Sequence, residues 1–161
     1  MQAQSWFANG LRWWLLVAIG VVLLSAFSGI FGGGGPAATT ATGPEASLRV
    51  EAPRVVRNGE FFEVRFAVEA QRAIAKPVIA ITESYWRDIT INTTAPTPAG
   101  ETFEDGYFLF ELEPIDSGAR AEFKLDAQIN PARRGGSEGF ASVRDGERIL
   151  AQAPIELTVL P

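Results

Sequence analysis

The chain has 161 residues, 14 basic and 19 acidic side chains, a formal net charge of −5, and neither cysteine nor histidine. An acidic surface of mixed sign lacks the basic stripe that nucleic acid requires, so no nucleic-acid partner is expected. Without Cys or His there is no thiol nucleophile, no Ser-His-Asp triad, no zinc site built on those ligands, no His-ligated haem and no disulfide.

The first element is residues 13–31, WWLLVAIGVVLLSAFSGIF, nineteen residues without a charge. A helix over them spans roughly 28 Å, close to the hydrocarbon thickness of a bilayer. They are predicted to form a transmembrane helix in contact with lipid. Trp6, Trp13 and Trp14 stand at its N-terminal border, where indoles favour the interface. Arg12 precedes the run, and no basic residue follows it until Arg49. The positive-inside rule therefore puts residues 1–12 in the cytoplasm and the rest outside, at the cell membrane. The alternative is a cleaved signal peptide, with Trp13–Ser25 as its apolar core and Ala26-Phe27-Ser28 as the cleavage site.

Residues 32–46, GGGGPAATTATGPEA, are too poor in large apolar side chains to pack and are expected to be a flexible linker. From Leu48 the hydrophobic period becomes two. Residues 47–161 carry 13 basic and 18 acidic side chains and are long enough for one domain with its own core.

FFEVRFAVEA alternates most clearly, with Phe62, Val64, Phe66 and Val68 on one face and Glu63, Arg65 and Glu69 on the other. One dry face and one wet face mark an antiparallel sheet. Asn58-Gly59 before it signals a tight turn. KPVIAITE reads as a strand buried on both sides, and SYWRDITINTT as another strand. APTPAGETFEDG (95–106) reads as a long loop, followed by YFLFELE with Phe108, Phe110 and Leu112 alternating. ARAEFKLDAQI points Ala121, Phe123, Leu125, Ala127 and Ile129 inward. NPARRGGSEG (130–139) reads as a second long loop, FASVRDGERILAQA as a hairpin around Asp145-Gly146, and PIELTVL as the last strand. The spacing predicts an all-β antiparallel sandwich of seven to nine strands, with no helix after residue 31.

NGEFFEVRFAV, a strand after a glycine turn, and PIDSGARAEFKL, a Pro-x-x-x-Gly turn before a long strand, resemble immunoglobulin-like modules of bacterial surface and periplasmic proteins, such as the cell-adhesion-related bacterial domain. The resemblance covers residues 60–161 and implies an architecture rather than an activity. The whole chain is similar to small membrane-anchored bacterial proteins.

Four residues are candidates for partner contact. Trp86 and Arg87, in Tyr85-Trp86-Arg87-Asp88, pair an aromatic with an arginine, a combination enriched at interfaces. The bland alternative for Trp86 is the core tryptophan common in sandwiches. Arg133 and Arg134 form a basic pair on a glycine loop, suited to a phosphate, a lipid headgroup or an acidic partner, or are simply solvated. Glu101, Glu104 and Asp105 cluster on a loop, but their spacing matches no calcium-binding pattern, so no metal or cofactor is expected. A hydrolase using two of Glu101, Glu104, Asp105 and Asp116 would need them in one cleft. Asn92-Thr93-Thr94 matches a glycosylation sequon.

The function expected is non-enzymatic: an extracytoplasmic sandwich, tethered to the membrane, that binds another envelope or membrane protein, for which an exposed edge strand is a ready means. The alternative is a ligand-binding or sensing module, taking carbohydrate, envelope polymer or a metal on its loops.

Overall fold

The computed structural model describes residues 3–27, 35–132 and 134–161, and the chain divides into two units, Met1–Gly34 and Gly35–Pro161.

The first unit is a single helix, α1 (Ala3–Phe27). Its large apolar side chains from Trp13 to Phe27 are exposed. The expected transmembrane helix over 13–31 is corrected here. Among the described residues no helix is long and apolar enough to cross a membrane. The first turns of α1 carry Gln4, Asn9, Gly10 and Arg12, so its apolar part is residues 13–27. Those fifteen described residues span ~22 Å against a hydrocarbon core of about 30 Å, and residues 28–31 lie outside the described residues. The bilayer contact assigned to residues 13–31 loses its basis with the span. Ser28 and its cleavage position lie outside the described residues, as do residues 32–34 of the linker.

The second unit contains eleven strands: β1 (Ala37–Thr42), β2 (Ala46–Ala52), β3 (Val55–Arg57), β4 (Phe61–Ala70), β5 (Pro77–Thr82), β6 (Ile89–Ala95), β7 (Gly100–Glu104), β8 (Tyr107–Glu111), β9 (Arg120–Ile129), β10 (Gly135–Asp145) and β11 (Arg148–Leu160). One sheet, A, has the order β1-β2-β4-β9-β6, and the other, B, has β3-β11-β10-β5-β8-β7. All pairs are antiparallel except β3 with β11.

Period-two alternation produces this layering. In β4 every second residue from Phe62 to Ala70 is buried, and β9 answers with Phe123, Leu125, Ala127 and Ile129. The register sets Val64 opposite Leu125 and Phe66 opposite Phe123, so both strands present their apolar side chains to one layer. Phe123 of sheet A meets Phe66 at 6.2 Å and Phe110 of sheet B at 5.3 Å between ring centroids, which ties the two sheets together.

Four local readings differ from the sequence-based expectation. Ala37–Thr42, expected in the linker, is β1. Its small and β-branched side chains fit a pleated surface, and Ala41 packs against the core. Gly100–Glu104, expected in a loop, is β7, turned back into β8 by Asp105 (φ 50°) and Gly106 (φ 77°), the two positive-φ residues of a tight hairpin. Gly135–Gly139, also expected in a loop, begins β10. Glu83–Trp86, expected in a strand, is a short helix, α2. Among the described residues the total of eleven strands therefore exceeds the expected seven to nine.

Two close approaches hold the domain's corners. Gly139 of β10 lies against α2, where a Cβ would come 2.0 Å from Thr82 Oγ1 and 2.9 Å from Tyr85 Cβ. Gly43, in the turn between β1 and β2, admits the Leu150 carbonyl oxygen 1.9 Å from where a Cβ would stand. Beside it, Arg148 donates two hydrogen bonds to the Glu45 carboxylate, at 2.6 and 3.0 Å. That bidentate contact holds the Glu45 carboxyl below its ordinary pKa, with Arg148 as the main cause.

Candidate functional site: the outer face of sheet B

The two sheets differ on the side away from the core. Sheet A is wet. Its outer face carries Arg49–Glu51 at 2.8 Å, Arg120–Glu122 at 2.9 Å and the pair Arg65–Glu63. These exposed pairs are a solvated surface with little stability attached.

Sheet B is apolar on both faces near its centre. In β5, Ile79 and Ile81 point into the core, so Val78, Ala80 and Thr82 point out. The register places Leu109 of β8 and Ser142 of β10 on either side of Ala80. Arg144 stands opposite Val78 and next to Ile149 of β11. Ala80 is nonetheless fully buried and Val78 nearly so, because neighbouring side chains close over them. Ile149 remains 48% exposed, and Phe140, whose N–H donates to Thr82 Oγ1, 47%.

Tyr107 and Arg144 shape the middle of this face. The Arg144 guanidinium carbon lies 4.3 Å from the centre of the Tyr107 ring, and Nε donates to Ser142 Oγ at 3.3 Å. The arginine is thus laid flat across the sheet by a cation–π contact. A groove of about 740 Å³ runs beside it. Val78, Leu109 and Tyr107 line it, and Glu104, Asp105, Glu111 and Glu147 surround it, with Lys76 as the one other basic residue. The arrangement can take an apolar chain segment, and its rim suits positive charge on that segment.

The contact residues expected from sequence lie elsewhere. Trp86 is 3% exposed, with its ring 5.9 Å from that of Tyr85, so it is a core residue and not a contact. The turn into α2 removes it from the strand register that pointed it outward. Arg87 and Arg134 are exposed, and Arg133 lies outside the described residues. Trp86 and the two described arginines therefore do not form one surface. Glu101, Glu104, Asp105 and Asp116 are all exposed to solvent; Glu104 and Asp105 share the rim of the groove, and Glu101 and Asp116 do not line it. Among the described residues no group of three or more acidic side chains converges as a metal site would require.

Neither family models nor curated proteins yield a match to this sequence. Among solved structures the chain is similar to a CARDB domain from Pyrococcus furiosus described in complex with di-metal ions, at 12% identity and a TM-score of 0.48, covering 74% of this chain and 92% of that one. It is also similar to CaCohA2 from Clostridium acetobutylicum, at 16% identity and a TM-score of 0.47, covering 73% and 92%. A third is the sulfur carrier protein SoxY from Chlorobium limicola f thiosulfatophilum, at 17% identity and a TM-score of 0.38, covering 71% and 79%. The sandwich fold rests on the strand order and register above, and the chemistry of the site rests on its own residues.

The residues that build this face went unnoticed in the sequence, although a signal was there. YFLFELE is apolar at Tyr107 and Leu109 as well as at Phe108 and Phe110. A strand apolar on both sides must be covered twice, by its own fold or by something else.

Proposed function

We propose that this chain is a non-catalytic module whose β-sandwich binds another protein through the outer face of sheet B. The observation supporting it is the contrast between the two outer faces: charge pairs cover sheet A apart from Phe61 at the start of β4, while Leu109, Phe140 and Ile149 stand on sheet B. A partly exposed apolar patch rimmed by charge is characteristic of interaction sites. The acidic rim favours a partner segment that carries Lys or Arg beside its apolar residues. We place the domain outside the cytoplasm, with Trp13–Ser25 acting as an export signal; protease added to spheroplasts should then degrade residues 47–161.

The test is site-specific photocrosslinking in the native host. A crosslinker at Ile149 or Leu109 should give the same discrete protein adduct, and one at Lys124 on sheet A should not. Leu109→Glu should abolish the adduct formed from Ile149 without lowering the melting temperature. Equal adducts from both sheets, or none from sheet B, would overturn the proposal.

A second reading rests on the groove beside Tyr107, whose volume of about 740 Å³ falls in the range of small-ligand sites. Glycans or calcium at millimolar concentration should then raise the melting temperature, and an unchanged melt with both removes this reading.

A further inference from the structure

A sandwich with two open sheets has four edges, and an edge strand is a template for another strand unless something blocks it. Three of the four are blocked here. β3 is only three residues long and pairs in parallel. β6 is interrupted by a register shift between Ile91 and Thr93. β7 carries Glu101 and Glu104.

The fourth edge has no such guard. β1 reads AATTAT, without charge or proline, and pairs with β2 over six consecutive residues with no bulge. Among the described residues, no backbone hydrogen bond beyond that ladder involves Ala37–Thr42. Antiparallel pairing on one side leaves every second residue with its N–H and C=O directed away from β2.

A cleft of about 470 Å³ opens beside the same strand. Ala37 and Thr39 of β1 line it together with Val50, Ala52, Phe140 and Ile155. Glu138 stands in it, as do Arg54 and Glu156, paired at 3.2 Å. The cleft is therefore apolar at its floor and slightly acidic at its mouth.

We propose that β1 accepts an extended segment of another protein as an added strand of sheet A, with large apolar side chains at alternate positions entering this cleft. The backbone of β1 supplies the hydrogen bonds and the cleft selects the side chains, the division of labour in strand addition. A second copy of this chain is the poorer occupant. Its own β1 would offer only Ala37, Thr39 and Ala41, which are too small to fill the space. This contact lies at the β1 edge and shares Phe140 with the outer face of sheet B, but neither Leu109 nor Ile149 lines its cleft.

The test uses the full chain and synthetic ten-residue peptides with Leu or Phe at alternate positions and Thr or Lys between them. Fluorescence anisotropy should show at least tenfold tighter binding than for peptides of the same composition scrambled to a helical period. N-methylation of alternate peptide nitrogens on the bonding edge should cost at least tenfold. Thr39→Lys should do the same by placing a charge in the cleft, while Leu109→Glu should leave binding unchanged. Hydrogen exchange should slow at residues 37–42 when the peptide binds. Equal binding of alternating and scrambled peptides, or protection that falls on sheet B instead, would overturn the proposal. So would a concentration-dependent dimer in sedimentation that Thr39→Lys abolishes, because the occupant would then be a second copy.

Discussion

Replacing Gly139 by alanine should destabilise the sandwich far more than one methyl group ordinarily does. The new Cβ would meet Thr82 Oγ1 at 2.0 Å, Tyr85 Cβ at 2.9 Å and Ser84 Oγ at 3.1 Å. The two hydroxyls cannot simply rotate away, because each already holds β10. Phe140 N–H donates to Thr82 Oγ1 at 3.0 Å, and Ser84 Oγ donates to the Glu138 carbonyl at 2.8 Å. Tyr85 is fully buried and its Cβ is fixed to the helix backbone. Relief therefore requires α2 to lift from β10. Losing two hydrogen bonds costs about 1–3 kcal/mol, and residual overpacking costs roughly 1–3 kcal/mol. The smaller entropy of the unfolded alanine chain returns about 0.4–1 kcal/mol. The net loss is about 3 kcal/mol, or a fall of roughly 9–18 °C in Tm for a domain of this size. Thermal and urea unfolding followed by circular dichroism measure it directly. Gly136→Ala is the internal control on the same strand, because its Cβ would have only the Leu157 carbonyl oxygen nearby, at 3.8 Å. That variant should be neutral or slightly stabilising. A Gly139→Ala protein within about 0.5 kcal/mol of the parent, an ordinary surface effect, would refute the packing described for α2.

Gly43→Ala should be damaging as well, since the obstructing atom is the Leu150 backbone carbonyl, and a urea midpoint close to that of the parent would contradict the close approach of this turn to β11. Phe123→Ala should cost about 3–5 kcal/mol in urea titration, because Phe123 touches both Phe66 and Phe110. Glu45 has its carboxyl pKa lowered by Arg148; such a group stabilises the fold above its unfolded pKa and loses that contribution as pH falls through the lower, folded value. Glu45→Gln should therefore lower stability at pH 7 and flatten its decline below about pH 4, and a melting profile parallel to the parent's between pH 7 and pH 3 would refute the linkage. Ile149→Ser, at a half-exposed position, should change stability by less than about 0.5 kcal/mol while weakening the partner adduct, so a large loss of stability would place Ile149 in the core instead.

The strands with one dry face were the legible part of the sequence. β4 and β9 alternate without interruption, and their core residues are those expected. The Asp145-Gly146 hairpin was equally readable, because its turn residues carry their conformation with them. β1 and β7 were not legible: AATTAT and GETFE bury little, and each is a strand only because an edge was available to pair with. Trp86 was misdirected by the same cause, since a four-residue helix leaves no periodic trace. Asp105-Gly106 was a hairpin signal left unused within a segment that looked like loop. The outer face of sheet B is assembled by register from β5, β8, β10 and β11. No local pattern announces that Leu109 will stand beside Ala80.

The position of β11 has a consequence for how the protein is made. β11 pairs with β10 along eleven residues, and its last turn of chain, Thr158–Leu160, is the only pairing partner of β3 among the described residues. Val55 must therefore wait for Thr158, a long sequence separation that makes this a late contact of sheet B. At ~5–20 residues per second, the stretch from the end of β9 to the end of β11 takes roughly 2–6 s to emerge. During that interval the ribosome holds a nearly finished sheet A whose apolar side has nothing opposite it along β2. A nascent chain of this kind is a natural client for holding chaperones, and the vulnerable window shuts only when β11 pairs with β10.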